Sequence, residues 1–433
     1  MNQQRSDRVR WFCRDRFGMF IHWGAYAIPA RGEWVMTNER MTVAEYEPYV
    51  REFQPDDYDP RRWAKLAKQA CMAYVVLTAK HHDGFCLFDS ALTNYNAKVI
   101  CGRDLVGEFV EAVRAEGLKV GLYYSLLDWH HPDFPKYADM HHPMRENPLY
   151  QDETVDFDNY LRYMHGQVKE LVTNYGKIDL MWFDFSYGPM KGETWKATEL
   201  VRMVRHYQPD ILLDNRLETS GEGFGSIVDP EPKEYCGDFA SPEQLIPPEG
   251  IRNVLGEPVP WELCCTMNNN WGYCAADDLY KPASLLIRKL VECVSKGGNM
   301  ILNAGPDAHG RIDPRAQAIL EEIGRWMAKN EKSIRGCTLA DLPKPEWGRY
   351  TRNGNRLYAH VFEAPIGPLA LTGLKKQDIL KIRRLSDGAE IKLSDNWVTT
   401  AYGDIPFVSF GEVGNYTYPL PDPIDTVLEI TLR

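Results

Sequence analysis

Residues 178–185 read IDLMWFDF, a short apolar run that closes on a carboxylate, Asp184. A run of this length suits a strand buried on both faces. On either side, Asn159–Asn174 and Trp195–Tyr207 repeat apolar residues at helical spacing. Working outward, the same unit recurs. Strands are predicted at Phe17–Gly24, Tyr74–His82, Val120–Ser125 and Ile211–Arg216, with weaker signals at Trp261–Met267 and Asn299–Asn303. Helices are predicted at Arg61–Met72, Asp104–Glu116, Pro282–Ser295 and Pro314–Asn330. Strands alternating with helices imply parallel β/α units. Seven or eight of them over roughly 330 residues predict a TIM-like (β/α) barrel, with a doubly wound open sheet as the alternative. The glycine-rich stretch Gly221–Gly225 does not support that alternative. It runs into Asp229-Pro230-Glu231-Pro232 rather than a helix, so it is no dinucleotide fingerprint.

After about Gly336 the helical spacing stops. Short β-rich runs follow at Arg356–Phe362, Leu369–Leu371, Ile379–Leu385, Ala389–Leu393, Trp397–Thr400 and Thr426–Leu432, separated by Gly, Pro, Asn and Asp. That texture predicts a smaller all-β sandwich. The change falls within Gly336–Pro345, dividing the chain into a β/α barrel of residues 1–340 and a C-terminal sandwich of residues 341–433.

Composition agrees with a soluble, globular chain. The 433 residues are too many for one ordinary core, and 44% are hydrophobic against 26% charged. The net charge of −11 argues against a nucleic-acid partner, which calls for a basic footprint. No apolar run approaches a membrane span, so no membrane partner is expected. The opening MNQQRSDRVRWF has neither an apolar h-region nor a small-residue cleavage site. A cytoplasmic address follows as the expectation, and with it reduced thiols for the ten cysteines, which include no C-x-x-C pair. Nothing implies a cofactor, and a homo-oligomer stays open.

In a β/α barrel the chemistry sits at the C-terminal ends of the strands. Here the predicted strands end in His22-Trp23-Gly24, His81-His82-Asp83-Gly84, Tyr123-Tyr124-Ser125, Trp182-Phe183-Asp184 and Asp214-Asn215-Arg216. The sixth adds Trp261-Glu262 and Trp271-Gly272-Tyr273. Alternation along a strand puts Leu180, Trp182 and Asp184 on one face, and likewise Phe20 with His22, Leu122 with Tyr124, and Leu212 with Asp214 and Arg216. Were that face inward, carboxylate, guanidinium, imidazoles and aromatics would converge. Such a mix holds neutral sugars: aromatic faces pack on C–H groups while the polar groups bond hydroxyls.

These strand ends resemble family 29 of the glycoside hydrolases, the α-L-fucosidases, from about Trp11 to Asn330. The resemblance rests on FGMFIHWG (17–24), GEW (32–34), TAKHHDGF (78–85), GLYYSLLDW (121–129), DLMWFDF (179–185), LDNR (213–216), WELC (261–264) and NNWGY (269–273), taken in this order. It implies a barrel followed by a β-sandwich, and retaining double-displacement hydrolysis of terminal α-L-fucose from fucosylated glycans. It points to Asp184 as nucleophile. It points to His22, Glu33, Trp34, His81, His82, Tyr124, Trp182, Arg216 and Trp271 as sugar-binding residues. For the acid/base it favours Glu243, in GDFASPEQ (237–244), over Glu262, with Glu231, Glu234 and Glu249 also in the region. The linkage preference is not implied. Phe185-Ser186-Tyr187-Gly188, following the nucleophile, departs from the small residues many relatives carry there, which bears on the leaving-group side.

Two rival readings start from other features. The pairs His81-His82, His130-His131 and His141-His142 motivate a metal-dependent TIM-barrel hydrolase. Adjacent strand residues point to opposite faces, however, and reach one metal poorly. The last two pairs sit in a Pro-rich segment read as an excursion above the barrel. A non-catalytic sugar-binding protein is the third reading; it would need the aromatics and hydroxyl-binding groups but not the carboxylates.

Overall fold

The apolar runs form strands buried along nearly their whole length. They are β1 (Phe17–Ile21), β2 (Tyr74–Lys80), β3 (Lys119–Ser125), β4 (Leu180–Asp184), β5 (Leu212–Leu213), β6 (Glu262–Thr266) and β7 (Asn299–Ala304). The computed structural model describes residues 3–433 except 138, 222, 412–415 and 418. Residue 222, within the glycine-rich stretch, therefore lies outside the described residues. All seven strands pair in parallel into one curled sheet, in the order β5-β4-β3-β2-β1-β7-β6. Helices return the chain between strands at Pro60–Gln69, Leu105–Ala115, Phe157–Asn174, Ala197–Tyr207, Ala283–Ser295 and Pro314–Asn330. Their starts are written in the sequence. Asp59, Asp104, Asp156 and Asp313 each accept a hydrogen bond from a first-turn N–H, and Pro60 and Pro314 occupy first helical positions.

The edge strands β5 and β6 do not pair with each other. Residues 238–244 run between them with parallel bridges to both sides, Asp214 with Phe239, Ala240 with Trp261 and Glu243 with Cys264. Backbone bonds follow the same course. Asp238 N donates to Leu213 O, Ala240 N to Pro260 O, Glu262 N to Ala240 O and Gln244 N to Cys264 O. Pro242 has no N–H to donate, which keeps this ladder irregular.

After the helix Pro314–Asn330 the chain builds antiparallel sheet. The strands are β8 (Gly348–Asn353), β9 (Arg356–Val361), β10 (Leu369–Ala370), β11 (Ile379–Arg384), β12 (Phe407–Val408) and β13 (Thr426–Leu432). Four of them form a sheet in the order β11-β13-β9-β8, and β10 pairs with β12. These strands surround their own apolar core, with Leu357, Val361, Leu371, Val408 and Ile430 at its centre. Arg288, on the helix Ala283–Ser295, fastens this part to the parallel sheet by donating to the carbonyls of Ile424 and Phe362. Two predicted strands are corrected. Ala389–Leu393 makes only isolated bridges. Trp397–Thr400 is a turn, because the Asn396 and Thr399 side chains bond the nearby backbone and compete with a ladder. Among the described residues no helix is long and apolar enough to cross a membrane.

One buried ion pair fixes the excursion that follows β3. Lys80 and Asp128 are both essentially unexposed, with Nζ 3.1 Å from Oδ2. Lys80 also donates to Leu127 O, and Asp128 Oδ1 accepts from the backbone N–H groups of His130 and His131. Asp128→Ala would leave the ammonium buried without a counter-charge. We expect a loss of about 3–5 kcal/mol in urea unfolding of the full chain. Substituting Lys80→Met as well should recover much of it, because the unpaired charge is then gone.

Candidate active site

The C-terminal ends of the parallel strands surround a cavity of about 160 Å³. That is smaller than the roughly 300–1,000 Å³ of sites for drug-sized ligands, and has room for about one sugar ring. A larger cleft of about 1200 Å³, beside Arg8, Lys177 and Asp238, lies at the opposite ends of the strands and has Trp11 as its aromatic lining.

Asp184 ends β4 and points into the cavity. Its Oδ2 accepts from Tyr123 Oη at 3.0 Å, and its Oδ1 accepts from Arg216 Nη1 at 2.8 Å and from its neighbour's N–H, that of Phe185. Phe185 has φ +78°, a conformation a bulky residue rarely adopts. Its N–H donates to the Asp184 carboxylate and the Ser220 hydroxyl.

Arg216 is the centre of the polar network. Nε donates to Ser241 Oγ, Nη1 to Asp184, and Nη2 to Glu243 Oε2 at 2.9 Å. One guanidinium therefore bridges two carboxylates. Burial works against its charge, but Asp184 and Glu243 outweigh that and hold its pKa well above the ordinary value. Glu243 stands at the mouth with 40% of its side chain exposed, against 13% for Asp184. Its second oxygen accepts from Trp271 Nε1 at 3.1 Å. The irregular segment 238–244 delivers Glu243, and Asn215 holds that segment by accepting from Ser241 N and Oγ.

The other predicted residues separate. His22, Glu33, Trp34, His81, Trp182 and Trp271 line the same cavity as Asp184, Arg216 and Glu243. Trp182 makes its floor, with the Arg216 guanidinium over its ring at 4.8 Å. Burial pushes the His22 pKa down to about 4 and that of His81 well below the ordinary value, so both rings are neutral near pH 7. Glu33, also buried, is pushed up to about 7 despite accepting from Gly272 N.

His82 does not reach the cavity lining. It stacks on Trp129 at 3.9 Å, behind Trp34. Tyr124 is a correction. It turns outward and donates to Gln167, on the helix Phe157–Asn174, under the ammonium of Lys80. Strand register explains the error. Tyr123 pairs with Trp182 and Ser125 with Asp184, so Tyr123 shares their inward face. Glu262 is a second correction to the candidate acids. It is fully buried beneath Trp182, accepting from that indole and from the Tyr74 hydroxyl, and burial raises its pKa to about 8. Of the remaining candidates, Glu234 pairs with Arg202 on the surface, and neither Glu231 nor Glu249 lines the cavity.

Sequence reasoning missed Tyr123 and His141. The excursion after β3 folds back so that His141 lines the cavity, its ring 5.2 Å from that of Trp34 and 4.6 Å from that of Tyr187. His81 and His82 face different neighbours, Tyr123 and Trp129. Among the described residues no group of three or more His, Cys, Asp or Glu side chains is arranged to hold a metal ion.

Comparison with known proteins gives a consistent result. A family model described as Alpha-L-fucosidase matches residues 1–332. Tissue alpha-L-fucosidase of Bos taurus is 29% identical over 416 residues, covering 89% of this chain and 82% of that protein. Among solved structures, alpha-L-fucosidase isoenzyme 1 from Paenibacillus thiaminolyticus is 56% identical over the whole of both chains, with a TM-score of 0.95. A GH29 alpha-L-fucosidase from Bacteroides thetaiotaomicron, trapped as a covalent intermediate with 2-fluoro-fucosyl fluoride, is 28% identical. It has a TM-score of 0.82 and covers 99% of this chain and 96% of that one.

The raised pKa of Glu33 has a consequence for stability. The unfolded chain releases this proton near the ordinary value of 4.5, whereas the folded protein keeps it to about pH 7. Between those values the folded state binds more protons, so its stability falls as pH rises. Urea midpoints of the protein and of Glu33→Gln should therefore diverge from pH 4.5 to 7, the unsubstituted protein losing ground, and run parallel above pH 7.

Proposed function

We propose, for a chain that belongs to the α-L-fucosidase family, glycoside hydrolase family 29, that Asp184 and Glu243 are the two carboxylates of its retaining hydrolysis. The observation that carries this is the shared contact with Arg216: one buried guanidinium bonds an oxygen of each. Asp184 lies deeper, fixed by Tyr123 and Arg216, where it can attack the anomeric carbon of a sugar resting over Trp182. Glu243 lies at the open side, where the leaving group must exit.

The two carboxylates divide the two steps. As Asp184 forms its ester with the anomeric carbon, Glu243 gives a proton to the departing oxygen; as water then displaces Asp184, Glu243 takes a proton from that water. Glu33, His22, His81, Trp34 and Trp271 supply acceptors, donors and apolar faces for a single sugar ring. His141 and Tyr187 line the cavity beside Trp34 and Phe185.

We read the curled sheet, joined through residues 238–244, as a (β/α) barrel whose eighth, irregular staff carries Glu243. The catalytic part is residues 1–340, and residues 341–433 form a C-terminal β-sandwich. The substrate is a glycan ending in α-L-fucose.

Release of nitrophenol from an aryl α-L-fucoside, beside β-D-galactoside and α-D-glucoside controls, tests the sugar and the anomer. Asp184→Gly should abolish turnover, a loss of about 10⁴-fold or more. Glu243→Ala should cut hydrolysis of a fucosyl disaccharide about 10²–10⁴-fold. It should spare the first step on an activated aryl fucoside, with azide restoring turnover as an α-fucosyl azide, the product of a second inversion at the anomeric carbon. Glu243→Ala that keeps full activity on the disaccharide would exclude it as the acid.

A further inference from the structure

Asn303 is buried at the C-terminal end of β7, and one amide there touches two parts of the site. Its Nδ2 donates to the Trp271 carbonyl at 2.7 Å, and its Oδ1 lies 2.8 Å from His22 Nδ1. A backbone carbonyl only accepts, so the amide atom facing it must be the nitrogen. The atom facing His22 is then the oxygen, which only accepts, so His22 Nδ1 must carry a proton. His22 is neutral near pH 7, because burial lowers its pKa to about 4. Its Nε2 is therefore a bare acceptor, on a ring that lines the cavity.

The other arm fixes a loop. Trp271 and Gly272 follow β6, with the Trp271 carbonyl held by Asn303 and the Gly272 N–H held by Glu33 Oε2 at 2.8 Å. The packing there leaves little slack. A Cβ on Gly272 would come within 2.8 Å of the Tyr26 ring, and one on Gly305 within 2.6 Å of the Trp271 oxygen. From this anchored backbone the Trp271 indole donates to Glu243 Oε1, while Arg216 holds Oε2.

We propose that Asn303 is a positioning residue for the reaction: its oxygen fixes His22 as an acceptor for a sugar hydroxyl, and its N–H fixes Trp271 so that the indole orients Glu243. The second half rests on Glu243 as the acid; the first does not.

Nitrogen-15 NMR of the histidine-labelled protein tests the first half without altering Asn303. The resonance lost in His22→Gln should report a neutral ring protonated at Nδ1, and a ring protonated at Nε2 would overturn this half. Kinetics of Asn303→Leu test both halves, with thermal unfolding as the check on folding. KM should rise about tenfold for every fucoside, the loss of one hydrogen bond to a sugar hydroxyl. In addition kcat/KM, which reports the first step, should fall about tenfold further on a fucosyl disaccharide, whose leaving group needs protonation, than on a dinitrophenyl fucoside, whose leaving group does not. Trp271→Phe should reproduce the leaving-group-dependent loss, and with Glu243→Ala in place Asn303→Leu should add none of it. Equal losses of kcat/KM on both substrates, or no change in KM or kcat/KM, would overturn the proposal. The two readings separate cleanly. If Glu243→Ala itself shows no dependence on the leaving group, the acid assignment falls and takes the second half with it. If Glu243→Ala shows that dependence and Asn303→Leu does not, Asn303 alone is wrong.

Discussion

The buried cation of Arg216 is the constraint on which the site and the sheet both depend. With 5% of its side chain exposed, it needs counter-charge close by, and Asp184 and Glu243 supply it from opposite sides. Its planar fork also bonds the hydroxyl and carbonyl of Ser241. These partners come from β4 and from residues 238–244, and the guanidinium sits directly after β5. This is also where regular strand pairing is weakest, since β5 is only two residues long and the next segment bridges irregularly. One guanidinium thus ties together the seam of the sheet and sets the relation between the two carboxylates. A lysine could not do the same, because a point charge has no fork with which to hold two acids in fixed directions.

Around that cation the cavity is arranged by protonation. Burial keeps His22 and His81 neutral, so they act as hydrogen-bonding groups and not as charges. Glu33, with its pKa near 7, lies at the boundary between acid and carboxylate. Among the described residues the only fixed cation on the wall, Arg216, is already matched by Asp184 and Glu243. A sugar that gains positive character at its anomeric carbon therefore meets no uncompensated positive charge and has the Asp184 carboxylate beside it.

What the sequence makes legible follows from how local each signal is. Strands β1 to β4 and β7 are apolar runs with punctuated ends, and the helices carry Asp and Pro at their starts, so these elements were read to within a few residues. The residues immediately after those strands could then be placed at one end of the sheet. Register was not legible. Tyr123 and Tyr124 are chemically alike, and only the pairing of Tyr123 with Trp182 decides which faces inward. Residues 238–244 were not readable as a strand, since Asp238, Ser241, Pro242 and Glu243 break any apolar alternation. Glu262 misled for the opposite reason. Its WE motif lies in a regular strand, and its burial beneath Trp182 depends on Tyr74, 188 residues earlier in the chain. The excursion that carries His141 is anchored at its start by the Lys80–Asp128 pair, which no local pattern reveals.

A final regularity links backbone to chemistry. Both carboxylates are followed by a non-glycine residue at positive φ, Phe185 at 78° and Gln244 at 54°. Such conformations are costly and persist only where the surroundings hold them. For Phe185 the hold comes from its N–H bonded to Ser220 and to Asp184 itself. For Gln244 it comes from a backbone bond to Cys264 and a side-chain bond to Thr266. In each case the chain breaks from a straight strand course immediately after the acid. A strand continued without that break would carry its next residues onward along the same line, across the end of the sheet where the cavity opens. The two bends turn the chain at each carboxylate, so that both acids line the cavity and do not lie within the packed interior as Glu262 does.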